Sequence, residues 1–277
     1  MSIKIKSICI MGCGWLGLEL AKTFISNGVS VRGSTSRKEK LPLLEGMGID
    51  PFIFRTQEGL SEVAKAHIQQ ADVLVLNIPP GRKSPERQKA YREAMHELAK
   101  FSSSLSQLHI LFVSSTGVYR ALTGQADEKT VLNSQTPYQS LLIESESLFQ
   151  SQNHTVLRLA GLIGGQRHPI YMLQGKTDQG MGNAPVNLIH REDAIGLIKS
   201  VIEQEAWGEI LLGVAKEKPL KKVFYPVMAL KFGLTPPSYQ DDEGSTYLQL
   251  DNTYTRTRLN YSFRQDDPYL MPVEARD

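Results

Sequence analysis

The sequence predicts an α/β fold of the Rossmann type, a doubly wound parallel sheet with a small C-terminal lobe on the substrate side. Three observations lead to this prediction. Short apolar runs alternate with segments of helical periodicity as far as Leu159, a glycine motif follows the first run, and the alternation ends after Leu159. Short strands separated by helices are typical of crossover units, which build parallel sheets.

The alternation predicts the order of elements in the sheet domain. The predicted strands are Ile5–Met11, Val29–Arg32, Pro51–Phe54, Asp72–Ile78, His109–Ser114 and Thr155–Leu159. The predicted helices are Trp15–Ser26, Arg37–Met47, Leu60–Gln70, Pro85–Phe101 and Pro137–Gln150. A sheet of this kind binds its ligands outside the C-terminal ends of its strands.

The pattern after Leu159 is less regular. Residues 164–185 are rich in glycine and poor in apolar runs, which predicts a long loop beside the binding crevice. The elements expected next are a strand (Val186–Ile189), a helix (Asp193–Glu203) and a strand (Glu209–Val214). We therefore predict a Rossmann domain at 1–214 and a small lobe at 215–277.

Composition excludes several classes of partner. The chain has 277 residues with 31 Lys+Arg against 29 Asp+Glu, so its net charge of +2 gives no basic footprint for nucleic acid. It has no apolar run of about 18–20 residues, so no membrane partner is expected. The two cysteines, Cys9 and Cys13, are expected to be free thiols, and no metal-ligand spacing occurs. The free thiols favour a cytoplasmic protein, and no metal is expected. We also expect a small-molecule substrate and a monomer or homodimer, although composition does not determine either.

A G-x-G-x-x-G motif runs from Gly12 to Gly17 at the end of the first predicted strand. In such a motif the first glycine allows the tight turn, the second lets the backbone approach a pyrophosphate, and the third lets the helix pack closely. The helix N-terminus then offers free N–H groups to the phosphates. The context predicts a dinucleotide site formed by Gly12, Gly14, Trp15, Leu16 and Gly17. A glycine-rich structural turn is the alternative.

The residues after the second predicted strand indicate which cofactor binds. NAD-binding sites of this type carry an acidic residue about 20 residues after the glycines. Here the segment contains Ser34, Thr35, Arg37 and Lys38, with no carboxylate before Glu39. Hydroxyls and cations suit a 2′-phosphate, so we predict NADP, with NAD as the alternative. A solvated helix start would also explain the basic pair.

A proline-rich segment follows the fourth predicted strand. Asn77, Ile78 and Pro79 are predicted to border the cofactor, because they leave the sheet at its C-terminal edge. Asn77 or Arg82 is a candidate to contact the cofactor or an anionic substrate. A turn that only opens the next helix is the equally weighted alternative.

Hydroxyl groups predict the reaction chemistry. Ser114, Ser115 and Thr116 end the fifth strand, and Tyr138 begins a helix after Pro137. A serine that polarises a carbonyl oxygen and a tyrosine that exchanges its proton can reduce a carbonyl, or oxidise an alcohol, beside a nicotinamide.

These segments resemble the extended short-chain dehydrogenase/reductases, the group that contains nucleotide-sugar epimerases and dehydratases. The matching pieces, in order over roughly residues 1–215, are Ser114–Tyr119, Pro137–Tyr138, Leu157–Gly164 and Val186–Ala194. The resemblance implies that Ser115 is the catalytic hydroxyl, with Thr116 as a second hydroxyl, and that Tyr138 is the proton donor. It also implies that Asn187 and His190 border the substrate pocket, which suits a nucleotide sugar. Asp193 is expected to cap the following helix.

Two departures from that group matter. Its usual glycine motif is longer, and its Tyr-x-x-x-Lys lysine is replaced here by Leu142. The family lysine holds the nicotinamide ribose and lowers the tyrosine pKa, whereas leucine supplies no charge. At an ordinary pKa near 10, about one phenol in 10³ is ionised at pH 7, which hinders oxidation more than reduction. The combination is similar to the atypical YeeZ-like subgroup, whose members are epimerase/dehydratase-like.

The sequence therefore predicts an NAD(P)-dependent oxidoreductase or epimerase/dehydratase-like enzyme acting on a carbonyl or alcohol. The alternative is a non-catalytic NAD(P)-binding sensor or regulatory protein, because Leu142 has replaced the active-site lysine. A β-hydroxyacid-type dehydrogenase is a third reading, but the mixed polar tail differs from its all-helical second domain. In the long loop, Arg167 and His168 are candidates to contact a substrate phosphate, but solvated side chains are the favoured interpretation for both.

Overall fold

The computed structural model describes residues 5–81, 84–120, 122–151, 153–240, 242 and 244–274. They form two compact units. The first unit comprises Met1–Val118, Ser134–Leu157 and Ile198–Ile210, and the second comprises Tyr119–Asn133, Arg158–Leu197 and Leu211–Asp277. Each unit is built from three segments that alternate along the chain. The predicted domain boundary between residues 214 and 215 stays a prediction.

The strands and helices follow the predicted alternation. The strands are β1 (Ser7–Met11), β2 (Ser30–Thr35), β3 (Ile49–Ile53), β4 (Val73–Leu76), β5 (His109–Ser115), β6 (Gly124–Ala126), β7 (His154–Leu159), β8 (Gly161–Ile163), β9 (Leu188–His190), β10 (Ile210–Gly213) and β11 (Leu248–Leu250). The helices are α1 (Gly17–Ser26), α2 (Leu41–Glu45), α3 (Glu62–Gln69), α4 (Pro85–Ser102), α5 (Pro137–Leu148), α6 (Ile170–Leu173), α7 (Arg191–Glu203), α8 (Lys221–Lys231) and α9 (Thr253–Arg258).

The central sheet has seven strands in the order β10-β7-β5-β4-β1-β2-β3. The pairings among β1 to β5 are parallel, with Ile8 opposite both Val31 and Val73. All four residues of β4 are buried, as expected for a strand covered on both faces. The order reverses between β1 and β4, and in this architecture the ligand crevice opens at that reversal. The Rossmann-type prediction is therefore confirmed, with β10 as a seventh strand at the edge.

Helix starts show why the chain turns where it does. The hydroxyls of Ser84 and Thr136 accept the N–H groups of Arg87 and Gln139, so α4 and α5 begin with side-chain caps followed by proline. The helix predicted over Arg37–Met47 is instead a 3-10 turn followed by the short α2. Pro42 accounts for the break, because its ring lacks an N–H and is tolerated only in a first helical turn.

The second unit contains two small sheets, in which β6 pairs with β11 and β8 pairs with β9, both in parallel. The predicted strand Val186–Ile189 is thus β9, and it lies outside the central sheet. The long predicted loop contains the short α6, which contributes to a core with Phe224 and Met228 of α8. Within the described residues, no helix combines the length and apolar character needed to cross a membrane.

Candidate functional site

The glycine loop between β1 and α1 is constrained by backbone contacts. Gly12 has φ +108°, and a Cβ atom built on it would lie 2.5 Å from the carbonyl oxygen of Asn77. A Cβ atom on Gly17 would lie 2.2 Å from the carbonyl oxygen of Gly12. A Cβ atom on Gly14, by contrast, would meet no described atom within 4 Å. Two glycines are therefore required by the protein itself, and the third borders open space.

Hydrogen bonds hold the loop in this conformation. The hydroxyl of Ser34 accepts the Gly12 N–H at 2.9 Å, and the Cys13 N–H donates to the Ser34 carbonyl at 2.8 Å. The side-chain amide of Asn77 donates to the Gly12 carbonyl at 3.3 Å. Ser34 is only 2% exposed, so its hydroxyl stabilises the loop from the protein interior. Direct contact of Ser34 or Asn77 with a cofactor stays a prediction.

The start of α1 faces the same loop. Its N-cap residue, Leu16, has no side-chain hydrogen bond to the first turn, and its side chain is buried in the core. Trp15 is half-buried. The first turn of α1 therefore has no side-chain cap, and such a helix start attracts negatively charged groups.

The end of β2 presents positive charge. Thr35 is buried and accepts the Arg37 N–H at 3.3 Å, while Arg37 and Lys38 are exposed. Neither cation forms an ion pair with a described residue. Arg55, which follows β3, donates to the Ser36 carbonyl at 2.8 Å and brings a third cation to this segment. Sequence reasoning missed Arg55 because it lies in a different crossover unit.

The segment after β4 also lies at this edge of the sheet. Asn77 continues the strand pairing by donating its N–H to the Met11 carbonyl. Ile78 is half-buried and Pro79 is exposed. Arg82 lies outside the described residues.

Strand β5 and helix α5 run past each other in opposite directions. Three contacts show this. Ser114 Oγ donates to Glu146 Oε1 at 2.5 Å, and Gln139 Nε2 donates to the Val118 carbonyl at 2.7 Å. Between them, Leu142 Cδ1 lies 3.0 Å from the position of a Cβ built on Gly117. As the chain continues from β5 toward Val118, successive residues therefore contact turns of α5 that lie progressively closer to its N-terminus.

This alignment brings the predicted catalytic residues to one end of α5. Tyr138 directly precedes Gln139, and Ser115 and Thr116 lie between the Glu146 contact and the Gln139 contact. All three are half-buried. Their grouping and their catalytic roles stay predictions.

The face of α5 that carries Tyr138 contains no cation. Leu142 is 4% exposed and packs where the family lysine would begin, and Glu146, one turn further, is 1% exposed. Tyr91 of α4 lies beside this face with its hydroxyl bonded to Ser145, and burial together with the nearby Tyr138 and Glu146 raises the pKa of Tyr91. Sequence reasoning missed Tyr91 and Glu146, since neither belongs to a motif.

The two predicted substrate residues lie in the second unit. Asn187 is half-buried, and its Oδ1 atom is buried without a hydrogen-bond partner among the described residues. A buried amide oxygen needs a hydrogen-bond donor, which a water molecule or a ligand can supply. His190 has backbone partners on both ring nitrogens, the Pro272 carbonyl and the Glu192 N–H, so it joins β9 to the C-terminal segment. Substrate contact by either residue stays a prediction.

A polar cavity of about 500 Å³ opens in the second unit. Its lining combines side-chain amides, hydroxyls and one ammonium group: Gln125, Asn183, Gln249, Ser245, Thr246, Tyr247 and Lys218. Burial lowers the pKa of Lys218, and Arg256 acts in the same direction. A lining of this kind suits a hydrogen-bonding ligand.

Comparison with known proteins establishes the family. No family model matches the chain. It is 34% identical to protein YeeZ of Escherichia coli (strain K12), and the match covers 97% of this chain and 100% of that protein. The chain belongs to the YeeZ family. The resemblance to the YeeZ-like subgroup is thereby confirmed.

Solved structures confirm the fold of this YeeZ-family chain. A short-chain dehydrogenase/reductase superfamily protein from Agrobacterium tumefaciens with bound NAD has a TM-score of 0.75 at 17% identity, covering 93% of this chain and 92% of that one. UDP-glucuronic acid 4-epimerase from Bacillus cereus, in complex with NAD, has a TM-score of 0.74 at 17% identity, covering 93% and 94%. UDP-glucose 4-epimerase from Thermotoga maritima with UDP-glucose has a TM-score of 0.74 at 15% identity, covering 93% and 94%.

For His168 the sequence favours a solvated side chain over contact with a substrate phosphate, and both interpretations are wrong because the side chain is buried. In this YeeZ-family chain His168 is 3% exposed and lies 5.6 to 6.5 Å from the rings of Phe224, Tyr225 and Phe232. Burial lowers the pKa of His168 to about 4. The imidazole is therefore neutral at pH 7, and it serves the core of the second unit. Arg167 is exposed, and its contact with a phosphate stays a prediction.

The prediction that Asp193 caps a helix is also wrong. Helix α7 begins two residues earlier, at Arg191. The buried carboxylate of Asp193 instead accepts the Tyr261 hydroxyl at 3.0 Å and the N–H groups of Arg264 and Gln265 at 2.8 and 2.9 Å. Asp193 therefore fastens the C-terminal segment to α7.

Proposed function

We propose that this YeeZ-family chain binds a nicotinamide cofactor at its glycine loop, prefers NADP, and acts on a carbonyl or alcohol group as an oxidoreductase or epimerase/dehydratase-like enzyme. The observation that carries the proposal is the open space at Gly14. It lies between Gly12 and Gly17, where a side chain would overlap backbone carbonyl groups. Two solved proteins with the same fold are described with bound NAD.

The residues present fit such a cofactor. The open space at Gly14 and the start of α1, which has no side-chain cap, would hold the pyrophosphate at the positive end of the helix, and Gly12 and Gly17 would shape the turn around it. Trp15, Leu16 and the segment from Asn77 to Pro79 would border the rest of the cofactor. The bound cofactor would supply or accept a hydride.

The preference for NADP rests on charge at the end of β2. Arg37 and Lys38 are exposed and form no ion pair within the described chain, so they can bind a phosphate without breaking an existing interaction. A guanidinium fits phosphate with two parallel hydrogen bonds. The hydroxyl of Thr35 already accepts the Arg37 N–H, which fixes the backbone that carries the charge.

Tyr138 would donate the proton and Ser115 would polarise the substrate oxygen, with Thr116 as a second hydroxyl. The contacts between β5 and α5 support this grouping. Leu142 and Glu146 offer no cation to stabilise a phenolate. The face therefore favours the neutral phenol, which hinders proton abstraction from an alcohol more than it hinders proton donation during reduction.

We further propose that the substrate is a hydroxyl-rich small molecule such as a nucleotide sugar. The polar cavity of the second unit and the unpartnered Oδ1 of Asn187 support this class, because amides and hydroxyls pair with sugar hydroxyls. A solved protein of the same fold is described with UDP-glucose.

A non-catalytic NAD(P)-binding sensor is the second candidate. Leu142 favours a sensor, because this buried aliphatic side chain packs against the turn after Ser115. The short-chain dehydrogenase/reductases carry their active-site lysine at this position. A sensor would keep the glycine loop and bind the cofactor without turnover.

Calorimetric titration of the full chain with NADPH and NADH tests the cofactor assignment. We expect NADPH to bind at least about tenfold more tightly, which corresponds to about 1.4 kcal/mol. Equal affinities would remove the role given to Arg37 and Lys38, and absence of binding by either would overturn the proposal. A thermal-shift screen of nucleotide sugars and small carbonyl compounds, with and without NADPH, then identifies ligands that bind only beside the cofactor.

A further inference from the structure

The turn that follows β3 lies beside the end of β2. These two strands are parallel, and Thr35 is opposite Ile53 in their register. The pairing continues one step beyond the strands, because the Phe54 N–H donates to the Thr35 carbonyl at 3.0 Å. Ser36 and Arg55 therefore leave the sheet together at its C-terminal edge, where an architecture of this kind binds its ligands.

The side chain of Arg55 is held by two contacts. Its Nε donates to the Ser36 carbonyl at 2.8 Å, and its Nη1 donates to the Glu58 carboxylate at 2.6 Å. Its Nη2 bonds to no atom of the described chain. The half-buried guanidinium is thus fixed in direction, and it keeps N–H donors for a further acceptor.

The backbone of this turn is fixed as well. The Glu58 N–H donates to the Arg55 carbonyl at 3.0 Å, and Arg55 forms an isolated antiparallel bridge with Gly59. Glu97 of α4 accepts the Leu60 N–H at 2.8 Å, and a Cβ atom built on Gly59 would lie 2.8 Å from the same carboxylate oxygen. The turn is thus anchored to α4, so Arg55 has little conformational entropy left to lose when a ligand binds.

Arg37 and Lys38 differ from Arg55 in this respect. Both are exposed, and neither side chain bonds to a residue of the described chain. Ordering such long side chains on a ligand costs conformational entropy, whereas the protein has already ordered Arg55. Among the cations near the end of β2, Arg55 is therefore best suited to discriminate between ligands.

The charge around Arg55 favours an anion. The segment 36–40 contributes three cations and one carboxylate. Arg55 is a fourth cation, and Glu58 and Glu97 are the carboxylates that contact its turn. Four cations against three carboxylates leave a positive balance, which attracts a phosphate.

The groups without partners suit a phosphate better than a ribose hydroxyl. Nη2 of Arg55 is a donor, and the hydroxyl of exposed Ser36 bonds to no residue of the described chain. A guanidinium binds phosphate oxygens with parallel hydrogen bonds. The carboxylate that could accept a ribose hydroxyl, Glu58, is already paired with Arg55. Glu58 therefore competes with a phosphate for the guanidinium.

We propose that Arg55 is a specificity-determining residue of the cofactor site, which binds the 2′-phosphate of NADP together with the Ser36 hydroxyl, and that Glu58 limits the preference for NADP by competing for Arg55. This role rests on the proposed binding of a nicotinamide cofactor at the glycine loop.

Calorimetric titrations with NADPH and NADH test the role, because these cofactors differ only in the 2′-phosphate. With the full chain, Arg55→Gln should weaken NADPH at least about tenfold and leave NADH within about twofold. Glu58→Gln should instead tighten NADPH about threefold and leave NADH unchanged, since it removes a weak exposed ion pair that holds the guanidinium.

The two substitutions should not act independently. In the Arg55→Gln background, Glu58→Gln should change NADPH affinity by less than about 1.5-fold, because the partner of Glu58 is gone. A residue that only stabilises the turn would give a different pattern, in which both single variants weaken NADPH and NADH alike.

Matched controls come from a second exposed ion pair of the same unit, Arg92 and Glu144, whose side chains lie 2.9 Å apart. Arg92→Gln and Glu144→Gln should leave both cofactors within about twofold, because neither residue lies near the end of β2. Melting temperatures of all the variants check the fold. If Arg55→Gln lowers the melting temperature, Glu58→Gln still decides, because tighter NADPH binding does not arise from loss of structure.

The titrations separate this role from the proposed function. If the unsubstituted chain binds neither cofactor, the proposed function and the role of Arg55 both fail. If it binds both with equal affinity, the preference for NADP fails and the role of Arg55 fails with it. If it prefers NADPH and Arg55→Gln keeps that preference, only the role of Arg55 is overturned. Equal weakening of both cofactors by Arg55→Gln, or weaker NADPH binding by Glu58→Gln, would also overturn it.

Discussion

The glycine loop and the α5 face that carries Tyr138 belong to the same compact unit, but different forces determine their residues. In the loop, Gly12 and Gly17 are fixed by backbone atoms 2.5 and 2.2 Å from any added Cβ. On α5, position 142 is buried by side-chain packing, and packing accepts more than one residue type. The loop keeps a glycine motif, in a shorter form than the short-chain dehydrogenase/reductases usually carry, whereas the α5 face lacks the lysine of that group.

This difference teaches that cofactor binding and proton chemistry are separable in this fold. The loop depends on backbone geometry, which tolerates little change. The chemistry depends on a few side chains of one helix face, and replacing the lysine with Leu142 alters it without disturbing the loop. Variants in the two regions should therefore have distinct effects.

The largest effect should come from removing the Tyr138 hydroxyl. Tyr138→Phe should lower turnover by about 10²- to 10⁴-fold, because a positioned acid contributes that much to proton transfer. Its NADPH affinity should stay within twofold. Turnover is measured by loss of NADPH absorbance with a carbonyl compound found in the screen. Unchanged turnover would remove the role given to Tyr138.

The glycine loop offers a matched pair of substitutions. Gly17→Ala should lower the free energy of unfolding by about 3 kcal/mol, because the new Cβ overlaps the Gly12 carbonyl, although alanine normally stabilises a helix. Gly14→Ala should change it by less than about 0.5 kcal/mol and still weaken NADPH at least tenfold. Urea unfolding and calorimetry give both values. If Gly14→Ala keeps full NADPH affinity, the open space at Gly14 is not the cofactor site.

The contact between β5 and α5 should have an intermediate effect. Ser114→Ala removes the donor to the buried Glu146 and should lower the free energy of unfolding by about 2 kcal/mol. Ser147→Ala is the control, because this exposed serine of α5 bonds only to its own helix. Chemical denaturation of both variants compares them. Equal stability would show that the Ser114–Glu146 bond does not fix the alignment.

The basic segment after β2 should give the smallest effect. Arg37→Ser should weaken NADPH about tenfold, or about 1.4 kcal/mol, and leave NADH unchanged, since only NADPH carries the 2′-phosphate. Calorimetry at low and moderate salt measures the difference. A parallel loss for both cofactors would place Arg37 elsewhere on the ligand or in the fold.

The parts that could be predicted from sequence are those determined by local pattern. Strands such as β4 are buried on both faces and read as continuous apolar runs, and the glycine spacing reports backbone geometry directly. The pairing of Ser115 with Tyr138 rests on the resemblance to the short-chain dehydrogenase/reductases, and their catalytic roles stay predictions.

The parts that could not be predicted depend on partners far along the chain. Ser34 supports Gly12, which lies 22 residues earlier, and Ser114 meets Glu146, which lies 32 residues later. His168 lies in a polar, glycine-rich stretch, but aromatic rings of α8 bury it. Local composition carries no information about such contacts.

The central claim is that the glycine loop binds NADP, and Trp15 allows a direct test. The chain has two tryptophans, and Trp207 stacks on His109 in the same unit. In a Trp207→Phe variant, all tryptophan emission comes from Trp15 within the loop. NADPH should change this emission saturably, and NADH should require at least about tenfold higher concentration. No change with either cofactor, or identical titrations with both, would contradict the account.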